Sequence, residues 1–329
     1  RVKVFAVADN IAKGCGFKIE PQKTMWVAKG KTRSKKLAPL ERGTQVIKYK
    51  EYKKRANRGE QFRTINYIAD KELRREFGRL ASAIDQSIIA NDILYGFTRG
   101  KAVQTLMSTY CDKRSVLELD LKDAFHQMTR TDIYYILHIT LDLNRKLANW
   151  LADWGSVNGV AAMGCPYIPT LFNIWMLERL ERFNRLFGHN GTVICSYADD
   201  ITIFSDEEKI AWKRKALWIK FLKRQGFKFN ETKSRFQHNN GGIVKLGLTI
   251  YRKRLYVHRY RNYRRKMKKI QPTSRHNVAR AWGLLNWAVS EANKVSTVKR
   301  NMRQKKEYIA NTTNWECLLR LNSKDFINL

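Results

Sequence analysis

Two adjacent carboxylates, Asp199 and Asp200, interrupt a run of apolar and β-prone residues, Cys195-Ser196-Tyr197-Ala198-Asp199-Asp200-Ile201-Thr202-Ile203-Phe204, and this stretch restricts the fold more than any other. Asp is a poor strand former, so a pair of them between Val193, Ile194, Ile201 and Ile203 marks the turn of a β-hairpin. That turn presents both carboxylates together. Like charges side by side near a core are costly to keep ionised unless a cation neutralises them, which makes a divalent metal the natural partner. Taken alone, the same pattern also describes an ordinary Asp-containing turn. What favours the metal is a second acidic strand end upstream and the basic character of the rest of the chain.

That second element is Val116-Leu117-Glu118-Leu119-Asp120, which alternates as a strand and runs out through Leu121-Lys122-Asp123-Ala124-Phe125 into a helix. Asp120 then stands at the strand's end, where a buried sheet meets solvent and a ligand can reach it. As a lone feature it is more often a helix cap. Around these two elements the pattern is mainly helical. Leu73, Phe77, Leu80, Ala81, Ile84 and Ile88 fall at helical spacing behind a candidate N-cap, Asp70. A glycine-punctuated loop, Tyr95 to Lys101, leads into an apolar helix through Tyr110. A helical pair extends to Trp154, and Gly164-Cys165-Pro166-Tyr167-Ile168-Pro169 opens a long apolar helix, Leu171 to Phe187, closed by Gly188. Ser205 and Glu208 form a capping-box pattern for a helix that stops at Gly226. Strands follow around Lys245 to Ile250 and Arg254 to Val257. Strand, helix, helix, hairpin, helix is the order of an α+β fold with helices on one face of a sheet.

Charge narrows the partner. Of 329 residues, 64 are Lys or Arg and 29 are Asp or Glu, a formal charge of +35, which exceeds what solubility requires and seeks polyanions. Nucleic acid leads. A membrane surface is the rival, yet no apolar run approaches the roughly 20 residues of a spanning helix. With 43% hydrophobic residues the chain can bury a sizeable core. The basic residues cluster: a run from Lys29 to Lys36, another from Lys48 to Arg58, and ten Lys or Arg without an acid between Arg252 and Lys269, interleaved with Tyr256, Tyr260 and Tyr263 just after Tyr251. Cations mixed with aromatic rings suit a surface that follows a phosphate backbone. Trp282, Leu284, Leu285, Trp287 and Val289 read as a small helical domain, with a further basic stretch from Lys299 to Lys306. The five cysteines, 15, 111, 165, 195 and 317, form no CxxC pair and read as free thiols in a reducing cytosol. No leader pattern is visible at Arg1, and the expected location is cytoplasmic.

Asp120-Leu121-Lys122-Asp123-Ala124-Phe125, Tyr197-Ala198-Asp199-Asp200, Asn230-Glu231-Thr232-Lys233 and Lys245-Leu246-Gly247, in that order and at those spacings, resemble motifs A, C, D and E of reverse transcriptases. Tyr95 to Lys101 and the β-like segment around Arg63 are similar to the fingers motifs of the bacterial branch, which includes retron, group II intron and phage-defence enzymes. The resemblance runs from about residue 50 to about residue 300. It implies a right-hand polymerase, α+β, with an antiparallel palm sheet. Its expected division is a basic N-terminal extension over 1–50, fingers over 51–115 with part of the palm, the palm over 116–250 with a fingers insertion around 130–165, and a basic helical thumb over 251–329.

The same resemblance implies the site. Asp120 and Asp199 would be metal ligands, with Asp200 supporting or sharing them and Leu121 contributing its backbone, around two Mg²⁺ (or Mn²⁺) ions about 3.5 to 4 Å apart. Leu121, Asp123 and Ala124 would offer backbone contacts to the incoming triphosphate, and Arg63 would pair with its phosphates through the fork of its guanidinium. Lys233 would donate a proton or positive charge to departing pyrophosphate. Phe125 stands where the family places a bulky ring beneath the sugar, which predicts dNTP rather than NTP. Gly164 is the retained glycine of motif B, but Met163 replaces the family's Gln, so a thioether stands where an amide would reach the nascent pair.

Four readings follow from the sequence. The first is RNA-directed DNA synthesis from a primer, with RNA, DNA and dNTPs as partners and a noncoding RNA in a retron-like or defence system. The second, prompted by Met163, is a defence-type polymerase that adds nucleotides without a conventional template. The others are an RNA-dependent RNA polymerase and a nucleic-acid-binding scaffold with a degenerate palm.

Overall fold

The computed structural model describes residues 2–20, 22–28, 46–47, 57, 62–88, 91–189, 191–238, 242–245, 248–251 and 254–257. The basic runs Lys29 to Lys36 and Arg259 to Lys269, the Trp282 to Val289 stretch, Lys299 to Lys306, Cys317 and the Leu246-Gly247 pair lie outside the described residues, as does nearly all of Lys48 to Arg58. The chain forms two compact units. The first comprises Arg1–Lys101, Glu118–Ile203 and Lys213–Arg235; the second comprises Ala102–Leu117, Phe204–Trp212 and the segment from Phe236 onward.

The first unit opens with a helix, α1 (Val2–Gly14). The sequence reading treats these residues as part of a basic extension. Yet Val4, Ala8, Ile11 and Ala12 are buried, at the spacing that puts them on one helical face. They pack against α2 (Lys71–Ser87). Asp70 caps α2 as expected, accepting from the Glu72 and Leu73 amides at 2.7 and 3.1 Å. Its buried stripe is Leu73, Phe77, Leu80, Ala83 and Ile84. Ala81 is half-buried and Ile88 lies just past the helix end, because the stripe follows the helix's turn rather than every apolar residue. A three-stranded sheet, β1 (Lys23–Ala28), β2 (Val46–Ile47) and β3 (Phe62–Tyr67), has the order β2-β1-β3, with Val27 opposite Arg63 and Thr24 opposite Asn66.

The acidic residues belong to a four-stranded sheet. Its members are β4 (Ser115–Asp120), β7 (Val193–Tyr197), β8 (Asp200–Ser205) and β9 (Arg235–His238), in the order β7-β8-β4-β9. A small hairpin, β5 (Ser156–Val157) with β6 (Val160–Ala161), lies between β4 and β7 in sequence. The expected alternation of β4 is not observed. Ser115 through Leu119 are all buried, and Glu118 is accommodated by an ion pair with Arg235 of β9. A strand flanked on both sides and covered on both faces has no solvent side to show.

One helix, α3 (Val103–Thr109), precedes β4, and two follow it: α4 (Arg130–Tyr135) runs into a π-helical turn over Ile136–Thr140, and α5 (Arg145–Trp154) completes the expected pair. The long helix α6 (Ile168–Phe187) carries Pro169 in its first turn and buries Leu171, Phe172, Asn173, Trp175, Met176, Leu180 and Phe183. Phe77, Trp154 and Tyr167 form the aromatic centre of this unit, with ring centroids 5.6 and 5.2 Å from Phe77. Asn184 fastens α6 to β7, accepting from the Ile194 amide at 3.0 Å. The helix α7 (Glu208–Arg224) ends just before Gly226. Its expected capping box is replaced: Ser205 is the last residue of β8, and its hydroxyl accepts from the Glu207 amide at 3.3 Å rather than from Glu208.

In the second unit, Tyr110 stacks on Phe204 at 4.8 Å and Lys113 pairs with Asp206 at 3.0 Å. There β10 (Ile243–Lys245), β11 (Leu248–Tyr251) and β12 (Arg254–Val257) form an antiparallel sheet in sequence order.

Candidate active site

The acidic hairpin forms as a two-residue turn. Ala198 and Asp199 occupy its centre, and Asp200 opens β8 rather than sharing the turn. Ala198 has φ +54°, the left-handed value that the first central position of such a hairpin requires and that Gly ordinarily supplies. The backbone carbonyl of Asp199 then accepts from the Leu121 amide at 3.3 Å. One hydrogen bond thus joins the turn to the residue after Asp120 and puts both carboxylates at the same end of neighbouring strands. Asp199 is exposed, while Asp120 and Asp200 are half-buried.

The Lys233 turn is tied to the same place. Phe229 bridges Leu121, and the Asn230 amide donates to the Asp120 carbonyl at 2.8 Å. The turn closes with Lys233 N–H on the Asn230 carbonyl, and the Lys233 ammonium lies 3.2 Å from Asp120 Oδ2. Among the described residues no group of three or more His, Cys, Asp or Glu side chains is gathered as a metal site. The donor set nevertheless suits a hard cation. Asp120 and Asp199 are oxygen donors on adjoining strand ends, and the positive charge resting on Asp120 is an ammonium that an ion would replace.

Beyond Asp120 the chain turns sharply. Asp123 has φ +47°, and Ala124–Gln127 form a single 3₁₀ turn that places Phe125 half-buried against Phe172 of α6, centroids 4.9 Å apart. The Leu121 amide is already engaged by Asp199, and the Lys122 amide donates to the Lys228 carbonyl at 2.9 Å. Arg63 lies on β3; Gly164 packs on the same strand, so closely that a Cβ on it would lie 2.0 Å from the Asn66 carbonyl oxygen. Next to it, burial pushes the Cys165 thiol up to about 12, which makes it an inert packing group.

Sequence reasoning misses what holds the hairpin from below. The Ile93 carbonyl accepts from the Ser196 amide at 2.7 Å, and the Tyr95 amide donates to the Ser196 carbonyl at 2.9 Å. Gly96 then passes directly under the turn, where a Cβ would lie 2.1 Å from the Ala198 nitrogen. Asn173 of α6, buried, donates to the Gly96 carbonyl at 2.9 Å. Lys101 closes this loop, its ammonium 4.5 Å from the Tyr95 ring centre and bonded to the Asn91 carbonyl; burial lowers its pKa. The available signals are a glycine between two aromatic residues and an asparagine on a largely apolar helix face.

Residues 52–250 match the family "Reverse transcriptase (RNA-dependent DNA polymerase)", and the chain belongs to that family, with its α+β, right-hand polymerase fold. Two of its relatives are retron enzymes. The chain is 27% identical over 174 residues to the retron Mx65 reverse transcriptase of Myxococcus xanthus, covering 47% of this chain and 40% of the relative. It is 22% identical over 230 residues to the retron Ec86 reverse transcriptase of Escherichia coli, covering 69% of this chain and 71% of the relative. The chain thus spans well under two thirds of the Myxococcus relative. Among solved structures, telomerase from Candida albicans, in complex with a TWJ fragment of telomeric RNA, is similar with a TM-score of 0.45 and 11% identity, over 71% of this chain and 54% of that one.

Proposed function

We propose that this protein is an RNA-directed DNA polymerase that extends a primer 3′ end with dNTPs, using the Asp120 and Asp199 carboxylates as the centre of its site. The observation that carries this reading is the Leu121 amide to Asp199 carbonyl bond, which unites two acids far apart in the sequence. Asp200 and the Leu121 carbonyl complete the proposed ligand set. Two Mg²⁺ or Mn²⁺ ions held there would activate the attacking hydroxyl and steady the leaving pyrophosphate. Asp123 and Ala124 would orient the triphosphate with Arg63. Lys233, now on Asp120, would swing to the departing pyrophosphate and protonate or neutralise it. Phe125 would exclude a 2′-hydroxyl. The hand-like division of fingers over 51–115, palm over 116–250 and thumb over 251–329 belongs to this reading, as do a bound noncoding RNA in a bacterial retron-like or phage-defence setting and a cytoplasmic location. Four free cysteines among the described residues support a reducing compartment, and no helix among them is long and apolar enough to cross a membrane.

Primer extension on an RNA template tests the proposal. Asp199→Ala is expected to lower incorporation by about 10³-fold or more; incorporation that survives the change would sink the metal-site assignment. Phe125→Val is expected to admit NTPs, and unchanged discrimination would favour a different sugar filter or an RNA-synthesising enzyme. A second reading, synthesis without a conventional template, is favoured by Met163 alone. Sequencing the product separates the two, because a faithful complement of the supplied RNA excludes the second.

A further inference from the structure

Phe97 has φ +54°, a left-handed conformation that bulky side chains rarely adopt. Its ring is 50% exposed, so core packing is not what holds it there. Strain of this kind persists where the surroundings over-determine it, and here they do so on both sides. Gly96 is closed against the Ala198 amide. The Asn173 side-chain amide bonds the Gly96 carbonyl at 2.9 Å and the Thr98 hydroxyl at 3.3 Å, bracketing residue 97. The backbone cannot relax without breaking one of these.

So held, the Phe97 ring meets Phe125, with centroids 6.3 Å apart and planes at 50°. Phe125 also meets Phe172, which is fully buried and is the chain neighbour of Asn173. One turn of α6 therefore does two things: it supports Phe125 through Phe172, and through Asn173 it fixes the loop that brings Phe97 to the same ring.

We propose that Phe97 is a positioning residue for sugar discrimination. It limits the tilt of the Phe125 ring and so sets how closely that ring approaches C2′ of an incoming nucleotide. Without Phe97, Phe125 retains its buried support but can swing toward the space its partner leaves, and a 2′-hydroxyl is accommodated. The inference rests on the reading of Phe125 as the ring beneath the sugar, and goes beyond it by assigning what fixes that ring.

Single-nucleotide incorporation of dGTP and GTP by the full chain on a primed RNA template tests it, comparing wild type with Phe97→Ala, Phe97→Leu, Phe97→Tyr, Phe125→Ala and the Phe97→Ala/Phe125→Ala double variant. Phe97→Ala is expected to lower the dGTP:GTP ratio of kcat/KM about 10-fold, chiefly through a smaller KM for GTP, with kcat for dGTP held within about 3-fold. Phe97→Leu, which retains apolar bulk, moves the ratio the same way, and Phe97→Tyr restores it. The double variant discriminates no worse than Phe125→Ala, because the two rings act as one. A ratio unchanged in both Phe97→Ala and Phe97→Leu overturns the proposal, as do equal losses for the two nucleotides or multiplying effects in the double variant. If Phe125→Ala relaxes discrimination and the Phe97 variants do not, the Phe97 inference alone falls. If Phe125→Ala changes nothing, the reading of Phe125 falls and takes the inference with it.

Discussion

Gly96 shows how a single missing atom can position a turn, here the one that carries Asp199. A methyl group there would meet the Ala198 nitrogen at 2.1 Å, and the obstacle is backbone, which cannot turn aside as a side chain can. Gly96→Ala is expected to displace the Ala198-Asp199 turn, lower the melting temperature and reduce incorporation at least 10-fold, measured by calorimetry and primer extension. Full activity would mean that the turn tolerates the shift. Lys233 makes a different prediction. Its pair with Asp120 is 63% exposed on the lysine side, so it contributes little to stability. Lys233→Ala should leave the melting temperature nearly unchanged while lowering kcat by about 10²-fold, a contribution typical of a general acid. A loss of stability without a loss of rate would reverse the assignment. The acidic pair is legible in the sequence because charged residues in an apolar run announce themselves, whereas Lys233, in the polar stretch Asn230-Glu231-Thr232-Lys233, is singled out only by its resemblance to a family motif. The sequence does not announce Gly96, whose partner is distant in sequence and whose importance is an atom it lacks.

At the scale of elements, β4 is the strand on which the site depends, and its burial was the least legible property. Alternation of Val116, Leu117, Glu118 and Leu119 suggests one wet face, but position within the sheet buries them all. Glu118 is tolerated because Arg235 reaches across from β9. Arg235→Ala would remove the guanidinium from a buried carboxylate. Since the arginine side chain is itself 53% exposed, the expected cost is about 1 to 2 kcal/mol rather than the larger value of a fully buried pair, read from urea denaturation. A change near zero would mean that water replaces the guanidinium. Helix readings fared better where a cap and a stripe coincide, as at Asp70, because both signals are local. The helix Val2–Gly14 is less legible: its buried face, Val4, Ala8, Ile11 and Ala12, is half alanine, a residue that marks a buried stripe poorly.

For the whole molecule, the formal charge of +35 predicts salt-sensitive binding of nucleic acid. Phosphate contacts release counterions, so affinity for a primed RNA template should fall at least 10²-fold between about 50 and 200 mM salt; a flat profile in filter binding would place the binding energy elsewhere. Charge of this kind is legible from composition, whereas the surface on which it acts is not, because composition does not say which basic side chains the fold gathers together. The contact between residue 96 and the hairpin has a consequence at this scale too. With no slack between the Tyr95 to Lys101 loop and the acidic turn, the two are expected to move as a single part, so that a push on the loop would reach the carboxylates. Exchange of either segment with that of a relative would succeed only if both travel together.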